Sequence, residues 1–234
     1  MQNCAGESKT VHHTESTVAG YIELVTPTRK TLFVLYRILD SSSQGDLGSC
    51  VGNSAAEWLN CGVAVKNRRS GKADKRRTPT SYLKEDDAVE IYSTATQFDE
   101  WPEQYPPSDT GTSGLGAAKA LQHLGFITAY QHTFTFESFL ATLQAQPVMV
   151  GFNWYSGFME TDRSGYIRMG DKDTDPIGGH EVLARGVDYT HRRVQCRNHW
   201  TQKWGRNGEF YIDFDLMERL LKEDGDVLAP VVML

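Results

Sequence analysis

Three residues of this chain could together do nucleophilic chemistry: Cys50, His180 and Asn198, with Gln44 six positions before the cysteine. A thiol attacks well only as thiolate, so it needs a base, and the base needs a partner that fixes its ring. His180 follows Ile177-Gly178-Gly179. Those glycines are expected to leave the imidazole uncovered and to allow a substrate backbone to approach. Asn198, in the run RNHW, offers a side-chain oxygen that could accept from the imidazole, and Trp200 could keep water from that bond. Gln44 could bring an amide donor beside the sulfur if the turn between them folds back. Taken one at a time, each has a plainer reading: a buried helix cysteine, a core histidine, a turn asparagine, a packed tryptophan.

These side chains need elements to hold them. The stretch SQGDLGSCVGNSAAEW passes from a glycine- and serine-rich turn into a helical stripe, with Val51, Ala55, Trp58 and Leu59 on one face. Ser49 is the expected N-cap, which puts Cys50 in the first turn, at the positive end of the helix dipole. This helix is expected to run to about Val65 and to carry Cys61 as well. Further helices are expected over Tyr82–Phe98, from the glycine-rich segment Gly111–Gly116 to Gly125, and from a Thr135 cap to Pro147. A last short helix carries Met217, Leu220 and Leu221, with Asp215 and Glu218 as its capping pair. PVMVGFNW, HEVLARGVDY, RRVQCRNHW and GEFYIDF read as strands, as do YIELV and TLFVLYRIL near the start. Helices first and strands later predict an α+β protein. Residues 1–30 read as an arm, 31–145 as a mainly helical lobe and 146–234 as a β lobe.

Composition narrows the classes. The chain has 234 residues, 39% hydrophobic and 11% aromatic, enough for a large core, and its net charge of −6 exerts no general pull on nucleic acid. The basic run from Lys66 to Arg77 lacks interleaved aromatics and reads as a solvated loop, so no nucleic-acid partner is expected. His12 and His13 stand in a polar stretch without nearby ligands, so no metal is expected there. Four cysteines, Cys4, Cys50, Cys61 and Cys196, are too few for a disulfide framework and point to a reducing compartment. Neither a secretory signal nor a membrane-length apolar run is visible, and a cytoplasmic or virion-associated protein is expected.

Taken in order, the segments QGDLGSC, DTGTSGLGAAKAL, GGHEVLARGVD and NHWTQKWGRNGEFYI resemble the papain-like cysteine peptidases, from about Leu35 to Ile212. The resemblance implies a helical lobe and an antiparallel, barrel-like β lobe with the active site in the cleft between them. It implies hydrolysis of peptide or amide bonds in a peptide or protein substrate, without a cofactor. Cys50 would be the nucleophile, His180 the base and later the acid, and Asn198 its orienter. The Gln44 amide and the Cys50 N–H would form the oxyanion hole, with Trp200 as a shield. Gly111 and Thr112 would lie along the substrate edge.

Several positions depart from the family's pattern. Val51 replaces a frequent tryptophan, and Leu47 a cysteine that is normally disulfide-bonded. His199 and Thr201 flank Trp200 where serine and glycine are usual, and Thr112 stands for a glycine. Glu181 replaces a small residue that lines the pocket for the side chain two positions before the cut, and a carboxylate there favours a basic side chain. Only about 40 residues precede Gln44, too few for the family's inhibitory propeptide domain, as in compact bacterial and bacteriophage relatives. Two other classes stay open: a non-catalytic papain-fold component of an assembly such as a phage particle, and a zinc module built on His191, Cys196 and His199.

Overall fold

A computed structural model of the chain describes residues 33–35, 43–61 and 82–231. The expected N-terminal arm, the strand YIELV and the basic run Lys66–Arg77 lie outside these residues. Among the described residues the elements run β1 (Phe33–Leu35), α1 (Cys50–Asn60), α2 (Glu85–Ala95), α3 (Gly114–His123), β2 (Ala129–Thr133), α4 (Phe136–Ala145), β3 (Val148–Trp154), β4 (Gly178–Asp188), β5 (Arg193–Arg197), β6 (Glu209–Asp213), α5 (Phe214–Lys222) and β7 (Asp226–Val231). This is the mixed helix and sheet architecture that the order of patterns predicted, with the antiparallel pairing that the resemblance implied.

Local chemistry explains most boundaries. Ser113, Thr135 and Asp213 each accept a backbone N–H of the following first turn, at Gly116, Ser138 and Leu216. The last of these is a correction: α5 starts before the expected pair, because Asp213 rather than Asp215 meets the orphan amide. Helix α1 also ends early, at Asn60, with Cys61 beyond it as the C-cap. Ser49 sits at its N-cap without a side-chain capping bond; its hydroxyl instead accepts from Asn53 Nδ2 at 3.2 Å.

The sheet has seven strands, ordered β2-β7-β3-β4-β5-β6, with β1 added to β4. Every pairing between these strands is antiparallel. Along one edge of β4, β3 covers Gly178–Ala184 and β1 covers Gly186–Asp188. Two strands were absent from the sequence reading. β2 (AYQHT) is half-buried throughout, without a clean alternation, and β7 carries Pro230, which usually argues against a strand.

Period-2 alternation sends the sheet's side chains into two cores. Val148, Val150, Phe152, Val182, Ala184 and Val227 join one with Phe139 and Leu143 of α4 and Met217 and Leu220 of α5. Met149, Leu183 and Leu228 join the other, with Trp58, Ile91, Ala118 and Leu121 of the three N-terminal helices. The sheet is therefore sandwiched, and α1 lies against it on the second side. Trp58 is fully buried and donates its indole N–H to the Pro147 carbonyl at 3.0 Å. This anchors α1 to the start of β3.

Gly52 lets α1 and α2 touch. A methyl group there would fall inside the contact radius of the Ala88 carbonyl oxygen and 3.0 Å from Tyr92 Cβ. In an open helix, glycine to alanine is worth about 1 kcal/mol of stabilisation. Here crowding reverses the sign. Gly52→Ala is expected to destabilise the fold by about 1–3 kcal/mol, read as a lower urea midpoint with an unchanged slope. A raised midpoint would mean that the two helices can part without cost.

Candidate active site

β4 opens with Gly178, Gly179 and His180, and pairs them with Trp154, Asn153 and Phe152 of β3. Contrary to the expectation that the two glycines leave it uncovered, the imidazole is only 5% exposed, because neighbouring indoles cover it. Its Nε2 lies 2.8 Å from Asn198 Oδ1. The backbone N–H of His199 reaches the same oxygen, also at 2.8 Å. An atom that takes a backbone N–H must be an acceptor, so His180 Nε2 is the donor and Nδ1 is the ring nitrogen turned away from Asn198. Two indoles enclose the ring, Trp154 edge-on with centroids 4.7 Å apart and Trp200 tilted at 5.0 Å. The structure thus brings His180, Asn198 and Trp200 together. Trp154 was missed by the sequence reading; a tryptophan ending the strand just before the Gly-Gly-His strand was the available signal.

The loop before Cys50 is fastened at both ends. Gln44 N donates to the His199 carbonyl at 3.0 Å, and Ser43 bridges Trp200 in antiparallel register. Ser43 N also donates to Glu85 Oε2, while Asn53 Nδ2 donates to Glu85 Oε1, each at 3.1 Å. Burial pushes the Glu85 carboxyl above its ordinary value, against these two bonds that favour its charge. Further on, Gly48 N donates to both Asp109 oxygens at 3.1 and 3.0 Å, and Tyr92 OH donates to Oδ1 at 2.6 Å. Tyr92 OH in turn accepts Gly111 N at 3.2 Å. A side chain at position 48 would meet Asp109 Oδ1 at 2.7 Å, so only glycine allows this approach. Asp109 and Tyr92 thereby tie the cysteine loop to the segment carrying Gly111 and Thr112, the latter bonded to Asp99.

Cys50 begins α1 and is 3% exposed; Gln44 is 7% exposed. The Gln44 side-chain amide donates to the Leu47 carbonyl at 3.0 Å, within its own turn. An amide carries two N–H groups, and Leu47 takes one. Cys50, Cys61 and Cys196 are buried thiols outside any disulfide, and burial pushes the Cys196 thiol far up.

Glu181 points to the opposite face of β4 from His180, toward the helices. It is 4% exposed, and its Oε1 has no hydrogen-bond partner among the described residues. A methyl at Gly151 would lie 2.6 Å from Glu181 Oε2 and 2.7 Å from Asp226 Oδ1, and one at Gly114 would lie 3.1 Å from Glu181 Oε2. Two missing side chains therefore make room for two carboxyls. Burial first, and then the charge of Asp226, push the Glu181 carboxyl well above the ordinary range. Asp226 accepts from His132 Nε2 at 2.9 Å.

Several solved structures share this fold. Over 87% of this chain and 87% of its own, xylellain, a cysteine protease from Xylella fastidiosa, superposes with a TM-score of 0.53 at 18% identity. The bromelain protease from Ananas comosus, solved with the E64 inhibitor, gives 0.50 at 16% identity over 84% and 94%. The ragweed pollen cysteine protease Amb a 11, in its proform, gives 0.57 at 16% identity over 90% and 61%. The chain has the papain-like fold. Among curated proteins, an uncharacterised peptidase C1-like protein of Acanthamoeba polyphaga mimivirus is 33% identical over 76 residues, which are 32% of this chain and 24% of that one. The match thus spans about a quarter of that relative's length. No family model matches the chain.

Within this papain-like frame the zinc set does not assemble. His191 Nδ1 binds Asp188 at 2.7 Å, His199 turns to Glu57, and Cys196 is fully buried in the sheet core. No group of three or more His, Cys, Asp or Glu among the described residues could hold a metal. Nor is any helix among them long and apolar enough to cross a membrane. Thr201, where the papain-like pattern has glycine, keeps a left-handed backbone with φ of 70°. That conformation costs a β-branched residue about 1–3 kcal/mol, and the turn after Trp200 tolerates it.

Proposed function

We propose that this chain is a cysteine endopeptidase or amidase that cleaves peptide bonds through a thioester acyl-enzyme. The observation that carries this reading is the 2.8 Å bond from His180 Nε2 to Asn198 Oδ1, beside a cysteine loop paired to the next two residues, His199 and Trp200. With Nε2 committed to Asn198, Nδ1 is the nitrogen that takes the Cys50 proton. The dipole of α1 favours the anion left on sulfur.

The thiolate attacks the scissile carbonyl carbon. The oxyanion that forms is received by the Gln44 amide and the Cys50 backbone N–H. His180 passes its proton to the leaving nitrogen, the C–N bond breaks and the acyl group stays on sulfur. Water then enters, His180 takes its proton, and the thioester opens to acid and free thiol. Trp154 and Trp200 dry the His180–Asn198 bond and so strengthen it. Gly111, Thr112 and Gly179 line the path of the substrate backbone. Glu181, with Asp226 beside it, receives a basic side chain two positions before the cut.

A peptide panel tests both levels. Cleavage is expected with Arg or Lys at that position and to be lost in Cys50→Ala, with Arg favoured over Leu by about tenfold, as one charge-assisted bond supplies. Equal or better cleavage of Leu peptides would remove the pocket assignment and leave the thiol chemistry standing. No cleavage of any peptide, with no adduct at Cys50, would remove the hydrolase reading.

A further inference from the structure

We propose that Glu57, through His199 and Arg197, is a positioning residue that holds Asn198 against His180. The inference rests on the cysteine-hydrolase reading above and adds residues to it that touch neither substrate nor sulfur.

Glu57 lies on α1 seven residues after Cys50, two turns along the same face of the helix. Its side chain is 2% exposed. Oε2 accepts from His199 Nε2 at 3.1 Å, and the His199 side chain is fully buried. Oε1 faces Arg197 Nε at 3.5 Å, an ion pair whose arginine side chain is 8% exposed. One carboxylate therefore reaches the two residues that flank Asn198. In an extended chain those two point to one side and the residue between them to the other. Glu57 pulls from behind, and Asn198 is presented to His180.

The backbone completes the arrangement. Asn198 N donates to the Gly208 carbonyl at 2.9 Å, and Arg197 Nη1 to the Asn207 carbonyl at 2.6 Å. His199 uses its N–H on Asn198 Oδ1 and its carbonyl on Gln44 N. His199 thus touches the orienter of the base, the loop of the oxyanion donor and the nucleophile helix. If Glu57 loses its grip, all three shift relative to one another. Removing one member of a buried ion pair leaves the others uncompensated in a dry site, so the lost grip is not restored by water.

The test measures alkylation of Cys50 by an epoxide on the full chain, which needs no knowledge of the substrate. Wild type is compared with Glu57→Gln, His199→Gln and the double variant, with a melting curve for each. Glutamine in place of Glu57 keeps the shape but can offer its single oxygen to only one partner. The expected result is a tenfold or greater fall in the maximal alkylation rate for each single variant, with reagent affinity within a factor of two. The double variant should be no slower than the slower single one, because the residues act as one unit. Arg197→Lys, which keeps the charge, should recover most of the rate. Folded variants that alkylate like wild type, whatever their melting temperatures, would overturn the proposal. So would effects of the single variants that multiply in the double. Should Glu57→Gln not fold, His199→Gln and Arg197→Lys decide by the same readouts. A wild type that is not labelled at Cys50 would instead remove the underlying hydrolase reading.

Discussion

Exchanging His180 for alanine is expected to slow epoxide labelling of Cys50 by about 100-fold or more at pH 5, and by much less at pH 8. A lone thiol, with its pKa near ~8.5, is thiolate in only about one molecule in 3,000 at pH 5. A thiolate held by a neighbouring imidazolium escapes that penalty, though it gives back part of the gain because a stabilised thiolate is the weaker nucleophile. The gap between wild type and variant should therefore widen as pH falls, and this slope is more telling than any single rate. Asn198 gives the arrangement direction. Its Oδ1 is pinned by His199 N and binds His180 Nε2, so the imidazole cannot flip without breaking a buried bond. Peptide mapping should place the adduct on Cys50, not on Cys61 or Cys196, which are fully buried. Equal rates for the two proteins at pH 5 would mean that His180 does not activate the thiol.

Replacing Glu181 by glutamine is expected to make the protein more stable at neutral pH, by a margin that grows with pH. Burial and the charge of Asp226 hold the Glu181 proton in the folded chain well above its ordinary 4.5. Once unfolded, the side chain titrates normally. Between those two values the native state binds a proton that the unfolded state has released. Stability is thus fully present below about pH 4.5 and is lost as pH rises toward the folded pKa. The glutamine variant has no proton to lose at this position, so the difference between the two proteins should open by about 1.4 kcal/mol per pH unit through this window. Urea midpoints at pH 4, 6 and 8 would read it. A constant difference would show that Glu181 ionises in the folded chain as it does in water. Such a cost is tolerable where a cationic ligand can take up the unpartnered oxygen, which connects this titration to the basic-side-chain preference proposed above.

What could be read in the one-dimensional chain was whatever local geometry decides. The helix start at Thr135 was legible because a cap acts over three residues. The strands around Val150 and Val182 were legible because alternation repeats every two. The order Gln44, Cys50, His180, Asn198 and Trp200 came from the resemblance to the papain-like pattern, with glycine-rich turns before Cys50 and His180 as its local marks. β2 and β7 were not legible, since the half-buried pattern of β2 and Pro230 in β7 give no local signal, and only pairing of β7 with β2 and with β3 makes them strands.

By itself, then, the sequence determined the class of fold and the candidates for chemistry, through short-range periodicity, caps and turns. Tertiary structure alone decided which polar groups left water together. It set Asp109 under Gly48, Glu57 behind Arg197 and His199, and Glu181 against Asp226 and two glycines. The partners of Glu57 stand about 140 residues away along the chain. A charge is costly to bury unless its partners arrive with it, and which partners arrive is fixed by how sheet and helices close on one another. No spacing within a segment could announce it.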